Sequence, residues 1–592
     1  MEREIEIKKV YNGDRVYELP RKGHFTVSAE LKLSKEECIK LMDALVEGDE
    51  TPIRLTKSVC PECYEEKRYD QMLIPAAIVK HGEEVHLRKE CKKHGRVEER
   101  YWESDWMFIR AMSYADQGIK LETFETVRDP KQVKCPLSCG LCVKHKSHTA
   151  LANMVVTNRC HLSCWYCFFY AREGGHIYEP SLEDVKRMLK VLKSQKPIAP
   201  NAIQLTGGEP TMRADLPEII KLCRKFGFDH VQLNTTGINL AKDAELTREV
   251  VEAGANVLYV SFDGVTPKTN PKNYWEVPQA LENVRKAKKA GVVLVPTVIN
   301  GVNDHELGDI IRFAAGNIDV VRGVNFQPVS LVGRMPKKER ERMRITIPKA
   351  CKRIEEQLGG QIEQKDFYPI PCVASVTNFI EALTGRKQYR LSTHFACGSA
   401  TYVFFVRKKL IPITRFIDVE GLFEYLNGLA EEIKCSKVKP LAKVKVSLKI
   451  ALRMNRFIDK EKMPKDLKLK RALVSALTSK NYDGLRQFHY QTLFIGMMHF
   501  QDPYNYDVDR VQRCTIHYVT PAGTVIPFCA FNVLPELYRD RLQERFAVPV
   551  EEWEKRTGRT LKEEKYVRRY TEEEKKRIDE FYKKSISAVE IE

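Results

Sequence analysis

No run of eighteen or more apolar residues occurs in the 592-residue chain, which argues against a membrane-spanning helix of ordinary length. Met1–Pro20 is charged throughout and lacks the apolar core of a secretory leader. Internal repeats and low-complexity tracts are also missing, so neither a solenoid nor a disordered array is expected. What remains is a chain of ordinary apolar and charged content, long enough for several domains, and expected in the cytoplasm.

Seventeen cysteines are present, and their placement argues against a disulfide scaffold. Three tight groups lie between Cys60 and Cys167, an arrangement that suits metal sites. The net charge is +18, and more than half of that excess falls in one segment, Lys434–Arg471, which carries fourteen Lys/Arg and three Asp/Glu. A basic surface can meet nucleic acid, anionic lipid or an acidic substrate.

From Met154 strand-like runs alternate with helical ones. The strands read as Met154–Thr157, Ala202–Thr206, His230–Asn234, Val257–Phe262, Val292–Val298 and Val324–Pro328. The helices between them read as Leu182–Ser194, Asp215–Phe226, Ala244–Ala253, Pro278–Ala290 and Asp304–Ala315. Such alternation predicts parallel β/α units, and six of them predict an open partial barrel. Leu33–Leu45 reads as a helix capped by Ser34, and Thr571–Lys584 as a charged, solvated helix. The expected division is an N-terminal arm (1–57), a metal-knuckle module (58–104), a linker (105–150), the barrel (151–345), a C-terminal region (346–532) with a basic insertion at 434–480, and a charged helical tail (533–592).

The run Asn158-Arg-Cys-His-Leu-Ser-Cys-Trp-Tyr-Cys-Phe-Phe169 follows the first barrel strand. Cys160, Cys164 and Cys167 are spaced Cys-x-x-x-Cys-x-x-Cys, so three thiolates on one loop can bind three irons of a cubane. The fourth iron then has no protein ligand and can take the amino and carboxylate groups of S-adenosylmethionine (SAM). By spacing alone, structural or zinc-binding cysteines remain open. The loop also carries Tyr166, and Gly207-Gly-Glu-Pro210 follows the next strand. With both elements the chain closely resembles the radical SAM superfamily. That resemblance implies a 4Fe–4S cluster that cleaves SAM to a 5′-deoxyadenosyl radical. It implies that Gly207, Gly208, Glu209 and Pro210 lie along the methionyl end of SAM, the glycines allowing close backbone approach. Tyr166 and the later strand ends, Asn234, Thr235, Ser261 and Asp263, join the cofactor-binding set. The expected fold is α/β, a partial (β/α)6 TIM-like radical SAM barrel with an N-terminal metal-knuckle module and a C-terminal iron–sulfur auxiliary region.

Cys60-Pro-Glu-Cys63 and Cys91-Lys-Lys-His94 offer four ligands for a tetrahedral ion, either structural zinc or a rubredoxin-like mononuclear iron. A fourth ligand other than His94, or an unmetallated hairpin, also fits the spacing. Cys135, Cys139 and Cys142 repeat the three-cysteine spacing without a following GGEP and read as an auxiliary cluster site, with zinc as the rival; the nearby His145 and His148 read as structural. Cys372, Cys397, Cys514 and Cys529 read as ligands of a second auxiliary 4Fe–4S cluster, against the competing reading of buried apolar thiols. Cys38, Cys223, Cys351 and Cys435 read as ordinary thiols.

Further passages resemble the archaeal tetraether lipid synthase family. They include the knuckle and auxiliary motifs above, Lys144-His-Lys-Ser-His-Thr149, Gly496-Met-Met-His-Phe500, Gln501-Asp-Pro-Tyr-Asn-Tyr-Asp507 and Ile526-Pro-Phe-Cys-Ala-Phe-Asn532. This resemblance implies carbon–carbon bond formation between the terminal methyls of phytanyl chains. It implies an archaeol-type phospholipid as partner, peripheral contact with the inner membrane surface, and a ferredoxin-like electron donor; nucleic acid is not expected. Leu441, Val444, Leu448 and Leu452 recur at helical spacing within the basic segment, as on a membrane-surface helix, a solvated basic face or an RNA-facing patch. Phe494, Met497, Met498 and Phe500 read as a lipid tunnel or as plain core. The competing function is a radical SAM methylase acting on a small molecule such as a pterin. It needs one small polar pocket, whereas lipid joining needs two long apolar channels meeting at the cluster. A non-catalytic iron–sulfur carrier is disfavoured by GGEP beside an open-iron loop.

Overall fold

The computed structural model describes residues 11, 13–123, 131–169, 175–333, 335, 337–464 and 492–591. Part of the expected arm (1–10 and 12), part of the expected linker (124–130) and residues 465–480 of the basic insertion lie outside them.

The N-terminal sheet comprises β1 (Arg15–Leu19), β2 (Gly23–Val27), β3 (Thr51–Val59), β4 (Leu73–His81), β5 (Glu84–Cys91) and β6 (Gly95–Trp102), in that spatial order. Only β2 and β3 pair in parallel, because α1 (Lys35–Leu45) crosses between them. The helix starts where the sequence predicts, with Ser34 and Glu37 closing a reciprocal capping box. It buries Cys38, Met42 and Leu45 against Phe25, Val27 and Leu55. The division expected at residue 57 therefore falls inside β3, and the arm and the knuckle module are one sheet. A short helix, α2 (Pro61–Glu65), turns the chain after β3, and α3 (Asp105–Ser113) leads away from the sheet.

The second sheet contains the barrel. β7 (Leu151–Thr157) opens it, and the two-residue β8 (His176–Ile177) lies outside it. There follow α4 (Leu182–Lys193), β9 (Ala202–Gly207), α5 (Leu216–Lys225), β10 (His230–Thr235), α6 (Ile238–Lys242), α7 (Ala244–Ala253), β11 (Val257–Ser261), α8 (Val277–Ala287), β12 (Gly291–Val295), β13 (Thr297–Val298), α9 (Leu307–Gly316) and β14 (Val321–Pro328). The run expected over Val292–Val298 splits at Pro296, which has no N–H to give the ladder. After β14 come α10 (Arg340–Met343), α11 (Ile347–Gln357), β15 (Tyr368–Pro369), α12 (Ala374–Thr384), β16 (Gly398–Val406), β17 (Lys409–Pro412), α13 (Val419–Cys435), α14 (Lys439–Arg453), β18 (Thr492–Met498), β19 (Ile516–Val519) and β20 (Val525–Pro527).

The sheet order is β15-β16-β18-β14-β12-β11-β10-β9-β7-β19-β20. The six contiguous strands form the expected open partial barrel. The C-terminal region adds β18 in parallel beside β14 and β19 in parallel beside β7, so the arc carries two further parallel strands. The last helix, α15 (Glu572–Ile586), is not simply solvated. Its Tyr582 is buried, stacks 4.2 Å from Tyr274 and 4.9 Å from Phe313, and seals the outer side of α9. The tail is tied to the barrel mouth as well, through Arg159–Glu564 and a bond from Tyr566 N to His161 O. No helix among the described residues is long and apolar enough to cross a membrane.

Candidate active site and metal centres

Side chains alternate across a strand, so every second residue of the barrel strands points inward. On the outer face Ile203, Leu205, Val231, Leu233, Leu258 and Val260 are buried under the helices. The inner face is polar: Gln204 and Thr206 on β9, Gln232 and Asn234 on β10, Tyr259 and Ser261 on β11 line a cavity of about 230 Å³. The loop after β7 closes this cavity with Cys160, Cys164 and Cys167. Among the described residues only Cys60, Cys63, Cys91 and His94 gather their ligand atoms within 4.8 Å of one another. The loop thiols are spread more widely, as ligands at separate corners of a cubane must be.

Gly207 and Gly208 sit against the base of that loop. A Cβ on either would lie 2.1 Å from a backbone oxygen, of Thr157 and Arg159 respectively. Gly208 N donates to Thr157 O at 2.8 Å and Glu209 N to Arg159 O at 2.7 Å, lacing the glycine turn to the cysteine loop. The thiols and this side-chain-free wall share one cavity, so the residues fit a cluster with SAM against it.

Not every expected cofactor residue faces the cavity. The Glu209 carboxylate is fully buried and accepts bonds from Thr235 Oγ1 at 2.7 Å, Thr236 N at 2.7 Å and Thr236 Oγ1 at 2.8 Å, besides Thr211. Glu209, Thr235 and Pro210, which starts a 3-10 turn, therefore shape the cradle from behind. Thr236 lines the cavity instead. Asp263 also stands behind the wall. It accepts a bond from the Tyr166 hydroxyl, pairs with Lys272 Nζ at 2.7 Å, and accepts from Thr297 N at 2.9 Å. Burial, then the Asp263 charge, pushes the Tyr166 hydroxyl well above its usual range, so it stays protonated and donates. Tyr166, Lys272, Asn234 and Ser261 reach the cavity. Asn153, Gln204 and Gln232 were not foreseen. Their signal was a polar residue inside an otherwise apolar strand.

In the N-terminal sheet, His94 Nδ1 lies 3.4 Å from Cys60 Sγ, 3.4 Å from Cys63 Sγ and 3.6 Å from Cys91 Sγ, and Cys63 and Cys91 are 3.7 Å apart. Bonds of about 2.3 Å to sulfur and about 2.0 Å to nitrogen give edges of this length in a tetrahedral zinc site. Glu66 Oε1 lies 3.2 Å from His94 Nε2 and orients the ring. Cys63→Ser is expected to lower bound zinc by about one ion per chain and to cause an early thermal transition, because structural zinc binding is also folding energy. Elemental analysis and calorimetry would check this; full zinc content in the variant would remove these residues as ligands.

The other thiols divide differently from the expectation. Cys135 and Cys139 are hydrogen-bonding neighbours, and the charge of Cys135 reaches Cys142. Cys397 lies close enough to Cys514 and Cys529 for its charge to raise both, and Arg510 Nε donates to Cys397 Sγ at 3.4 Å. Cys372 does not join them. It faces a separate cavity of about 910 Å³ beside Arg110 and Trp106. His145 Nε2 donates to Cys514 O at 2.9 Å, and His148 Nε2 accepts from Arg390 N at 2.8 Å, both structural roles.

Residues 154–314 match the Radical SAM superfamily, and residues 52–103 match the HMPTM N-terminal zinc ribbon domain. Over 510 residues the chain is 46% identical to the 7,8-dihydro-6-hydroxymethylpterin dimethyltransferase of Methanocaldococcus jannaschii, covering 84% of this chain and 97% of that protein. The chain belongs to that dimethyltransferase family. It is also 33% identical over 172 residues to a protein of Pyrococcus abyssi named "Probable GTP 3′,8-cyclase", covering 28% of this chain and 53% of the relative. Among solved structures, methylornithine synthase matches 36% of this chain and 64% of its own, with 15% identity and a TM-score of 0.29.

Membership in the dimethyltransferase family overturns the expectation that the chain joins lipid methyls. The cavity at the cysteine loop, of about 230 Å³, sets the amides Asn153, Gln204 and Gln232 against an apolar and aromatic wall that includes Met498, Phe500 and Phe528. The four residues read as a lipid tunnel are split: Met497 is buried core, Phe494 packs on Tyr402, and Met498 and Phe500 reach the cavity, where Phe500 stacks on Phe528 at 4.0 Å. The dimethyltransferase-family chain is a radical SAM enzyme, with the 4Fe–4S cluster and SAM that this class uses.

Proposed function

We propose that the protein is a radical SAM methylase whose substrate is a pterin of the kind in its relative's name. The supporting observation is the amide floor of the barrel. Asn153 is fully buried, lines the cavity, and has no partner for either its Nδ2 or its Oδ1. Beside it the Gln232 amide donates to Gln204 Oε1. A pterin edge alternates ring nitrogens, an amino group and a carbonyl, and primary amides complement such an edge with one donor and one acceptor each. Phe500, Phe528 and Tyr518 form a stacked aromatic wall suited to a flat heterocycle.

Cys160, Cys164 and Cys167 would hold the cluster, which together with bound SAM would supply the 5′-deoxyadenosyl radical. The chain's own residues position the reactants: Gly207 and Gly208 admit SAM to the backbone, the Tyr166–Asp263–Lys272 set fixes the loop, and the amides orient the pterin. Cys135, Cys139 and Cys142 would hold one auxiliary cluster and Cys397, Cys514 and Cys529 another, with a ferredoxin-like protein as electron donor.

Reconstituted enzyme with SAM and dithionite should release 5′-deoxyadenosine faster in the presence of 7,8-dihydro-6-hydroxymethylpterin than without it, and the lack of any such acceleration would refute the reading. Asn153→Ala should raise KM for the pterin about tenfold, the effect of leaving one buried polar contact unmade. An unchanged KM would remove Asn153 from the substrate seat.

A further inference from the structure

Helix α14 has two apolar faces. Ala442, Val446 and Ile450 are buried in the same core as Leu426, Leu429 and Ile433 of α13. On the opposite side Leu441, Val444, Leu448 and Leu452 are 60 to 77% exposed, and Val438 just before the helix is 58% exposed. Only nine large apolar residues are strongly exposed among the described residues, and five of them form this one stripe. Scattered single residues are ordinary, whereas a continuous stripe marks an interaction face.

The charge on the same segment points to the partner. Between Ser436 and Phe457 there are seven Lys/Arg and no Asp/Glu. Lys445 and Lys449 are taken by Glu432 of α13, at 3.2 Å and 2.6 Å. Lys437, Lys439, Lys443, Arg453 and Arg456 have no acidic partner among the described residues. An apolar stripe bordered by unpaired cations matches the boundary between acyl chains and anionic headgroups. A nucleic acid would take up the cations and leave the leucines in water. A second copy would set two basic faces against each other. The helix has 15 residues, about 22 Å at 1.5 Å per residue, too short to span a bilayer core.

We infer that α14 docks the protein, lying flat, on an anionic lipid surface, with Leu441, Val444, Leu448 and Leu452 inserted and the flanking lysines and arginines on the headgroup phosphates. This docking is independent of the pterin reading. The test is co-sedimentation of the full chain with phosphatidylcholine vesicles, with and without phosphatidylglycerol. The protein should bind the anionic vesicles about tenfold better than the neutral ones, and less well as salt rises. The variant Leu441→Ser/Leu448→Ser/Leu452→Ser should lose about tenfold in binding while keeping its 5′-deoxyadenosine release and its circular dichroism spectrum. Lys439→Glu/Lys443→Glu should weaken binding to the anionic vesicles alone. The inference is overturned if the wild type ignores the anionic vesicles or if the serine variant binds them as well as the wild type. It is equally overturned if light scattering shows a dimer that the leucine replacements dissolve, or if the face retains an RNA oligonucleotide in preference to vesicles.

Discussion

Alanine at Cys160, Cys164 and Cys167 together is expected to cut the release of 5′-deoxyadenosine from SAM and dithionite by roughly 10³-fold or more, because it removes every thiolate that the loop offers to a cluster. The loop's backbone should survive the change. Arg159 fixes its base without the thiols, by bonding Glu179 at 2.8 Å and Met212 O at 2.9 Å. The lacing of Gly208 and Glu209 to Thr157 and Arg159 uses main-chain atoms only. Zinc at the N-terminal knuckle should stay at its wild-type level, since its four ligands lie in the other sheet. Chromatography of the reaction, with metal analysis of the same sample, separates a lost cluster from a misfolded chain. Release above about a tenth of the wild-type rate, with zinc intact, would mean that the cluster sits elsewhere.

Arg344→Met should be the most damaging change away from the active site, destabilising the protein by about 3–5 kcal/mol, the usual result of removing one partner from a buried ionic group. Arg344 is almost fully buried; its Nε donates to Glu99 Oε1 at 2.8 Å and its Nη1 to Asp502 Oδ2 at 2.6 Å. It joins β6 of the first sheet to the segment after β18, so methionine strips the buried Asp502 carboxylate of its ion-pair partner and leaves Glu99 with Arg340 Nε alone, at 3.1 Å. The same contact has a pH signature. Burial pulls the Asp502 carboxyl up, but the neighbouring Arg344 charge and hydrogen bonds outweigh it and hold the group down at about 2. An unfolded aspartate titrates near 3.9. The stabilisation is therefore fully present above about pH 4 and is lost as pH falls through 2. Urea unfolding from pH 7 downward should show the wild type weakening in that acid window. The variant should be weak at neutral pH and gain relative to the wild type as its stranded Asp502 carboxylate takes up a proton. Equal stability of the two proteins at pH 7 would show that the pair is not a fastener.

The contiguous barrel was legible because each of its elements carries its own periodicity. Ala202–Gly207 and Leu216–Lys225 announce themselves within a dozen residues. The cysteine loop and the glycine turn were legible because coordination and close approach demand fixed spacings. Pairings across long stretches of chain were not. β18 and β19 lie far from β14 and β7 in sequence, and nothing local says which edge a strand will choose. That the Glu209 carboxylate turns back onto Thr235 and Thr236 was illegible for a related reason, since a motif gives position but not which way a carboxylate turns. The scattered C-terminal thiols looked equivalent in sequence, and only their packing separates Cys372 from Cys397, Cys514 and Cys529. Function was the least legible, because the same loop starts radical chemistry on any substrate. Kinship, which a single sequence does not show, is what overturned the lipid reading.

The two late strands bear on how the protein is made. β14 is complete at Pro328, yet its free side is covered only when Thr492–Met498 emerges, about 160 residues later. The far side of β7 waits longer still, for Ile516–Val519. At ribosomal speeds of about 5–20 residues per second, the nascent half-barrel would hold both hydrogen-bonding rims bare for roughly 10–30 seconds. Unpaired rims invite pairing with other chains, so translation rate and chaperone capture should govern the yield of this enzyme more than its final stability does.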